Sequence, residues 1–292
     1  MKTKVLILGS TGLIGHQVYY HLKSNSNFEL SNISYRKKLV EDTIIANIRD
    51  EQNFINTIKK INPDIIINCI GVLIDGANKD PENAIFINAY MPHRLMRFAD
   101  DIGAKLIHIS TDCVFSGKKK EPYIETDEKD GKDTYAKAKG LGEIINDRHL
   151  TLRTSVVGPE LKTNGEELFH WFMKQTGSIN GFTKAIWSGV TTIELARAVK
   201  WAIENDITGL YHVTNNKSIN KNDLLNLFKK YTKKDIDIIA VDGKEIDKSF
   251  IDTRKEINYT IPDYNKMVKD MVSLMIINKE LYEQYNVGSV SD

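Results

Sequence analysis

The stretch LILGSTGLIGHQV, residues 6–18, decides how this chain is read. A short apolar run stops at Gly9, and an amphipathic stretch begins near Gly15. Between them Gly9, Gly12 and Gly15 recur at every third position. Small residues let the backbone turn tightly and approach a pyrophosphate, whose charge then faces a helix N-terminus. The spacing is G-x-x-G-x-x-G, not the G-x-G-x-x-G of the dehydrogenase fingerprint. A purely structural turn is the alternative. The strand before and the helix after favour a dinucleotide loop, with Gly9, Ser10, Thr11, Gly12, Leu13, Ile14 and Gly15 as its contacts.

Working outward, apolar runs alternate with amphipathic ones. KVLILG, FELSNISYR, IIINCIG, AKLIHIS and LTLRTSVV read as strands. GLIGHQVYYHLKS, DEQNFINTIKKI, PENAIFINAYMPHRLMRFADDIG and TYAKAKGLGEIIND read as the helices between them. The near-continuous IIINCIG is the pattern of a strand covered on both faces. Such alternation predicts an α/β fold, a Rossmann-type doubly wound parallel sheet with right-handed crossovers. After about Gly158 the rhythm loosens. ELFHWFMKQTG, TTIELARAVKWAIEN and KNDLLNLFKKYT look helical, while GLYHVT and IDIIAV look like short strands. The expected organisation is a dinucleotide-binding domain over residues 1–157 and a smaller α/β lobe over 158–292. That lobe is expected to serve mainly the substrate, with a chain return to the first domain left open. The polar end QYNVGSVSD is expected to fray.

Composition excludes several classes. The chain has 292 residues, 41% apolar and 27% charged, with a net charge of +1. That balance gives no electrostatic reason to expect nucleic acid or an acidic membrane as partner. No apolar run approaches the roughly 18 residues of a membrane span. The run Val5–Leu8 is also shorter than the roughly 7–15 residues of a signal-peptide core. Two cysteines, Cys69 and Cys113, are too few for a disulfide framework, so a reducing, cytoplasmic compartment is expected. The seven histidines show no metal-ligand spacing, and no metal is expected. His108, inside an apolar strand, reads as a satisfied core residue.

The second strand ends SYRKK, placing Arg36 and Lys37 where an acid would select NAD. Basic residues there accommodate a 2′-phosphate, so NADP is favoured over NAD; a solvated basic loop is the alternative. Two tyrosines precede a lysine by four positions, Tyr19 with Lys23 and Tyr135 with Lys139. Tyr19 and Lys23 lie along the first helix, carried about 10 Å from the phosphates, and read as structural. Tyr135 and Lys139 begin a helix after the strand ending HISTDCVFSG. In an open parallel sheet, ligands sit beyond the strand carboxyl ends, where Ser110, Thr111 and Asp112 fall. Hydroxyls, a phenol and an ammonium can converge there, so this pair is read as catalytic.

The segments GSTGLIG, PDIIINCIG, NAIFINAYMP, ISTDCVFSG, PYIETD, YAKAKGLGE and LRTSVVGP, in this order, resemble a family. It is that of the extended short-chain dehydrogenases/reductases, and within it the dTDP-4-dehydrorhamnose reductase group. The resemblance runs over nearly the whole chain. It implies Thr111, Tyr135 and Lys139 as a catalytic trio. Tyr135 would give a proton to the developing alkoxide, Lys139 would lower the phenol pKa and hold the nicotinamide ribose, and Thr111 would bind the substrate oxygen. It also implies cofactor contacts at Asn47, Ile48, Cys69, Ile70, Gly71 and Asn88, although Asn47 can instead simply end a strand. The group carries a tyrosine where Cys113 stands and a tryptophan where Val156 stands, which argues for a different sugar or nucleotide. Cys113 packs below the site or, as the alternative, is a nucleophile.

Substrate contacts are expected at Ser110, Thr111, Asp112 and Cys113, and in the second half at Lys184, Trp187, Lys248 and Arg254. The aromatics Phe169, Trp171, Phe172, Phe182 and Trp187 either stack a nucleobase or form the lobe's core. The resemblance implies NADPH, with NADH as alternative, and reduction of a nucleotide-linked 4-keto-6-deoxy sugar for a surface polysaccharide. The rivals are an epimerase or dehydratase recycling tightly held NAD, and a non-catalytic dinucleotide-binding regulatory subunit. The expected partner is the nucleotide sugar, with no nucleic acid and no membrane; a homodimer is left open.

Overall fold

The computed structural model describes residues 2–287. From the N-terminus the chain forms β1 (Thr3–Leu8), α1 (Gly15–Lys23), β2 (Phe28–Ser34), β3 (Ile44–Ile45), α2 (Glu51–Ile61) and β4 (Ile65–Asn68). It continues with α3 (Ile74–Lys79), α4 (Pro81–Ile85), a π turn (Phe86–Tyr90), α5 (Met91–Ile102), β5 (Lys105–Thr111), α6 (Thr134–Leu141) and β6 (Leu150–Thr154). Then come β7 (Val156–Val157), α7 (Leu168–Lys174), β8 (Ser178–Phe182), β9 (Ala185–Trp187), β10 (Val190–Thr191), α8 (Thr192–Glu204) and β11 (Gly209–His212). The last elements are β12 (Ile219–Asn220), α9 (Lys221–Thr232), β13 (Asp237–Val241), β14 (Ile246–Asp247) and α10 (Tyr264–Ile277).

Two compact units result. The first holds residues 2–116, 128–154 and 196–212; the second holds 117–127, 155–195 and 213–287. The first is built on a seven-stranded sheet in the order β11-β6-β5-β4-β1-β2-β3, and every pair in it is parallel. β1 lies between β2 and β4, with Val5 opposite both Leu30 and Ile65. All four residues of β4 are buried, as a strand covered on both faces requires. On one face Leu6, Leu8, Ile66 and Leu106 pack with Leu95 and Phe98 of α5. Each such side chain removed from water contributes roughly 1.5–3 kcal/mol. Residues 196–212 close the sheet, adding β11 beside β6.

Helix ends follow local chemistry. Asp50 and Asp133 cap α2 and α6 by accepting the amides of Asn53 and Ala136. Gly103 ends α5 at φ 77°. The long helix expected over 81–103 is present but carries the π turn. Pro92 has no N–H to offer the carbonyl of Asn88, so the α-helical ladder is interrupted there. The helix expected through Asp147 stops at Leu141. A Cβ on Gly142 would lie 2.0 Å from the freed Asn88 oxygen, so the turn after α6 is built around that close approach.

In the second unit β8 pairs with β13, β7 with β10, and β9 lies between β12 and β14. Phe169 and Phe172 of α7 pack on Phe228 of α9, with ring centres 5.1 and 5.6 Å apart. Helix α10 is a core element that the sequence reading passed over; it buries Met267, Val268, Met271, Val272 and Met275. Fraying does not begin at Gln284, because Tyr285 is 6% exposed and accepts the Glu160 amide. Residues 288–292 of the polar end lie outside the described residues. Among the described residues no helix is long and apolar enough to cross a membrane.

Candidate active site

The glycine loop joins β1 to α1 in the first unit. Gly9 has φ +79°, a conformation that side chains disfavour, and a Cβ there would meet Ile70 and the Cys69 backbone at 3.1–3.2 Å. A Cβ on Gly15 would lie 2.2 Å from the Gly9 oxygen, so the loop folds tightly back on itself. The amides of Gly9 and Ser10 donate to the Ile33 carbonyl, at 2.9 and 3.1 Å. Ser10 is fully buried and donates its hydroxyl to Asn32 at 2.7 Å, so its side chain braces the loop from the core side. Thr11, Leu13 and Ile14 are half-buried.

His16 was missed in the sequence. It is completely buried, and Nδ1 lies 2.7 Å from the Gly12 carbonyl. Burial lowers its pKa to about 4 against the raising effect of that bond, so the ring is neutral and Nδ1 donates. Its place four residues after Gly12 was the available signal. A tight cradle that a methyl group would fill, closed onto the start of α1, fits a dinucleotide pyrophosphate. Arg36 and Lys37 are exposed beyond β2. Ile48 is buried in the core, whereas Asn47 is exposed and its side chain accepts the Arg49 amide at 3.0 Å, forming a turn.

Beyond β4, the Cys69 amide donates to the Leu8 carbonyl at 3.1 Å, and the Asn68 side chain accepts from the Ile70 amide. Asn88 points inward from the π turn. Its Oδ1 accepts the Val72 amide at 2.9 Å and its Nδ2 donates to the Val72 carbonyl at 2.8 Å. The side chain therefore fixes the loop that follows Gly71.

Thr111 ends β5. Its hydroxyl donates to Asp112 at 3.1 Å and accepts the Cys113 amide at 3.1 Å. The side chain of Tyr135, in the first turn of α6, lies beside Thr111. Burial raises the phenol pKa, Cys113 and the nearby aspartates push the same way, and the Thr111 hydroxyl pulls it down without cancelling them. The phenol therefore holds its proton at neutral pH. Lys139 is 5% exposed and donates to the Ile109 carbonyl at 2.6 Å. It was expected to lower the phenol pKa, but it is not among the groups that shift it. Burial brings the Lys139 ammonium itself down to about 8, opposed by Glu143 and Cys69. Burial pushes the Cys69 thiol up to about 12, against the pull of Lys139.

Consecutive strand residues face opposite sides of a sheet. Ser110, expected among the substrate contacts, accordingly turns away from Thr111 and donates to Glu143 at 2.7 Å. The Glu143 carboxylate also receives Arg153 as a fork, Nε to Oε1 at 2.8 Å and a terminal nitrogen to Oε2 at 2.6 Å. Lys129 approaches Oε2 at 3.3 Å. Arg153 is 1% exposed, lies over the Phe115 ring and reaches His212 Nε2 at 2.8 Å. Burial alone would raise the Glu143 pKa; the Arg153 bonds and charge, Ser110 and Lys129 outweigh it and hold the carboxyl below its ordinary range. None of Glu143, Arg153, Lys129 and His212 was given a role from the sequence. The four-residue spacing of Lys139 and Glu143 was the one signal available.

His108 departs from the satisfied core residue expected. Its Nδ1 meets Asn68 at 3.1 Å, but Nε2 is buried without a partner. Cys113 is half-buried beside Tyr135. No cluster among the described residues could hold a metal ion.

In the second unit the expected substrate contacts are differently placed. Trp187 is 4% exposed, packs on Tyr264 and lies under the Lys221 ammonium, so it belongs to that unit's core. Lys184 is exposed and paired with Asp242 at 2.8 Å. Arg254 Nε donates to Glu256 at 2.7 Å. Lys248 is half-buried. Of the aromatics, Phe169 and Phe172 are core, while Trp171 and Phe182 are exposed.

Known proteins share this architecture. The chain is 31% identical over 218 residues to the spore coat polysaccharide biosynthesis protein SpsK of Bacillus subtilis, covering 73% of this chain and 74% of that one. It is 28% identical over 223 residues to the dTDP-4-dehydrorhamnose reductase of Escherichia coli K12, covering 72% and 71%. Among solved structures, dTDP-4-dehydrorhamnose reductase of Bacillus anthracis in complex with NADP superposes with a TM-score of 0.79 at 23% identity, covering 94% of this chain and all of that one. UDP-glucose 4-epimerase of Thermotoga maritima gives 0.77 at 17% identity, covering 95% and 100%. At those identities the two structures establish the fold. The family described as RmlD substrate binding domain matches residues 3–250, and the chain belongs to it.

Proposed function

We propose that this protein is an NADPH-dependent reductase of a nucleotide-linked 4-keto-6-deoxy sugar, serving the synthesis of a surface polysaccharide. The observation that carries the reading is the protonated Tyr135 phenol beside Thr111 at the carboxyl end of β5, in the unit that bears the glycine loop. The names of the relatives, a spore coat polysaccharide protein and a dTDP-4-dehydrorhamnose reductase, point to the same chemistry.

The loop at Gly9–Gly15 would hold the pyrophosphate, and Arg36 with Lys37 would meet a 2′-phosphate. The dinucleotide, when bound, supplies hydride to the ketone carbon. Thr111 would hydrogen-bond the ketone oxygen, turning its hydroxyl proton from Asp112 to the substrate. Tyr135 would pass its proton to that oxygen as negative charge develops there. Its raised pKa keeps the proton available across the neutral range. Lys139, one helical turn on, would leave the Ile109 carbonyl to balance the phenolate that remains. Cys113, and Val156 at the start of the second unit, are small where the reductase group carries rings, which favours a sugar or nucleotide other than that group's own.

The test is NADPH oxidation with dTDP-, UDP-, GDP- and CDP-linked 4-keto-6-deoxy sugars. Turnover with one of the four nucleotides is the expected result. Protein that carries NAD from purification and interconverts sugars without added dinucleotide would replace this reading with the epimerase or dehydratase one.

A further inference from the structure

The basic loop after β2 is tied down at both ends and across its middle. It leaves the sheet at Ser34, the residue after Ile33, whose carbonyl holds the Gly9 and Ser10 amides of the glycine loop. It returns at β3, where Ile44 and Ile45 pair with Ile33 and Ser34, and the Ala46 amide donates to the Ser34 carbonyl at 3.0 Å. Two buried hydroxyls close the span between. Thr43 accepts the amides of Leu39 and Val40 at 3.0 and 2.9 Å, which fills both lone pairs of its oxygen. Its own amide donates to the Val40 carbonyl at 3.0 Å. The Ser34 hydroxyl donates to the Lys37 carbonyl. Thr43 and Ser34 are 3% and 2% exposed, so water does not compete for these bonds.

We infer that Thr43 and Ser34 are positioning residues for cofactor choice: they hold residues 34–43 as a preformed loop that presents the Arg36 and Lys37 cations to the 2′-phosphate of NADPH. The inference rests on the reading of those two cations as the 2′-phosphate contacts, and goes beyond it by naming what holds them in place.

The side chains on this loop divide the work. The Arg36 guanidinium lies over the exposed ring of Tyr35, 4.7 Å from its centre, so a long cation rests on a platform instead of ranging through solvent. Lys38 is spent on the loop itself and donates to the Glu41 carbonyl at 2.8 Å. Arg36 and Lys37 remain exposed. The loop's acids, Glu41 and Asp42, are the exposed middle of the turn that Val40 and Thr43 close. In a slack loop those carboxylates would range over the same space as the cations and repel a phosphate. A closed loop keeps the charges in a fixed order, and the cost of ordering them is met before the ligand arrives.

NADPH and NADH differ by the 2′-phosphate alone, so the ratio of their dissociation constants isolates this loop. Calorimetry on the full chain measures both. The parent is expected to bind NADPH more tightly; equal binding overturns the inference. Thr43→Val keeps the shape of the side chain and removes the acceptor of two amides. It is expected to weaken NADPH binding about five- to tenfold, the range of one such bond, and to leave NADH within about twofold. General damage to the fold would weaken both alike and leave the ratio where it was. Thr43→Ser keeps the hydroxyl and is expected to keep the parent ratio. An unmoved ratio in folded Thr43→Val, or an equal fall in Thr43→Ser, overturns the inference. If Thr43→Val does not fold, Ser34→Ala decides by the same ratio, a fall supporting the inference and an unmoved value overturning it.

Arg36→Ser with Lys37→Ser is measured alongside. If that pair leaves the ratio at its parent value, the two cations are not the 2′-phosphate contacts and the inference falls with them. If the pair collapses the ratio while folded Thr43→Val leaves it unmoved, the cations keep their role and Thr43 loses its own. Both are binding measurements. Absence of turnover with ketosugars would defeat the reductase reading and leave the loop to be judged by the ratio alone.

Discussion

Replacing Gly15 with alanine tests the glycine loop at its tightest point. The new Cβ would lie 2.2 Å from the Gly9 oxygen, 2.8 Å from the Gly9 carbonyl carbon and 3.0 Å from the Ser10 Cα. All three are backbone atoms, so no flexible side chain can swing aside. The same methyl at Gly12 would stand 3.2 Å from the Gly9 oxygen, a distance that small adjustments relieve. Reaching that distance from Gly15 requires the loop to open by about 1 Å, at an overpacking cost of about 1–3 kcal/mol. The Gly9 and Ser10 amides are anchored on Ile33, so the displacement falls on the segment that would contact the pyrophosphate. A shift of about 1 Å in a positioning element costs on the order of 100-fold. Titration of intrinsic fluorescence with NADPH is therefore expected to show Gly15→Ala binding about 100-fold more weakly, and Gly12→Ala within about tenfold of the parent. Unimpaired NADPH binding by folded Gly15→Ala would refute the assignment of this loop to the dinucleotide.

Further outcomes are expected at other sites. Tyr135→Phe should leave NADPH binding intact and lower kcat with the ketosugar by roughly 100- to 10,000-fold, the range of general acid catalysis; near-normal turnover removes Tyr135 from the mechanism. Arg36→Ser with Lys37→Ser should narrow or reverse the preference for NADPH over NADH, read as the ratio of their kcat/KM values, and an unchanged ratio returns these residues to plain surface duty. Arg153→Met should destabilise the protein by about 3–5 kcal/mol in urea unfolding, because it leaves the Glu143 carboxylate buried with its main partner gone. The native carboxyl is held below its ordinary pKa, so the fold favours its ionised form. That stabilisation is present above the unfolded value and is lost as pH falls through the folded one. The gap between parent and Arg153→Met should accordingly shrink on acidification; a constant gap would show that Arg153 acts by packing alone.

The sheet was legible because its signals are local. The run ending at Gly9, the all-buried β4 and the alternation with amphipathic helices are written in consecutive residues. Thr111, Tyr135 and Lys139 could likewise be placed once β5 and α6 were, since strand ends and helical turns fix where such side chains start. What they touch could not be read. The Lys139 ammonium has a carbonyl of its own neighbouring strand within reach, and burial rather than the phenol dominates its titration. Arg153 and His212 meet only because β11 returns beside β6, a pairing that no local pattern announces. The same applies to Gly142: its approach to the Asn88 carbonyl depends on a π turn that Pro92 imposes in another helix. For Trp187 the sequence left stacking on a nucleobase and lobe core both open; the packing of Tyr264, far along the chain, makes it core.

The edge strand has a consequence for biosynthesis. A nascent chain halted before Gly209 would already hold β1 to β6, but β6 would display an open row of amides and carbonyls to any other extended polypeptide. Arg153 would also lack the His212 nitrogen it otherwise reaches. Completion of the first unit thus waits on a stretch translated after two segments of the second, and until then the β6 edge stays open to mispairing.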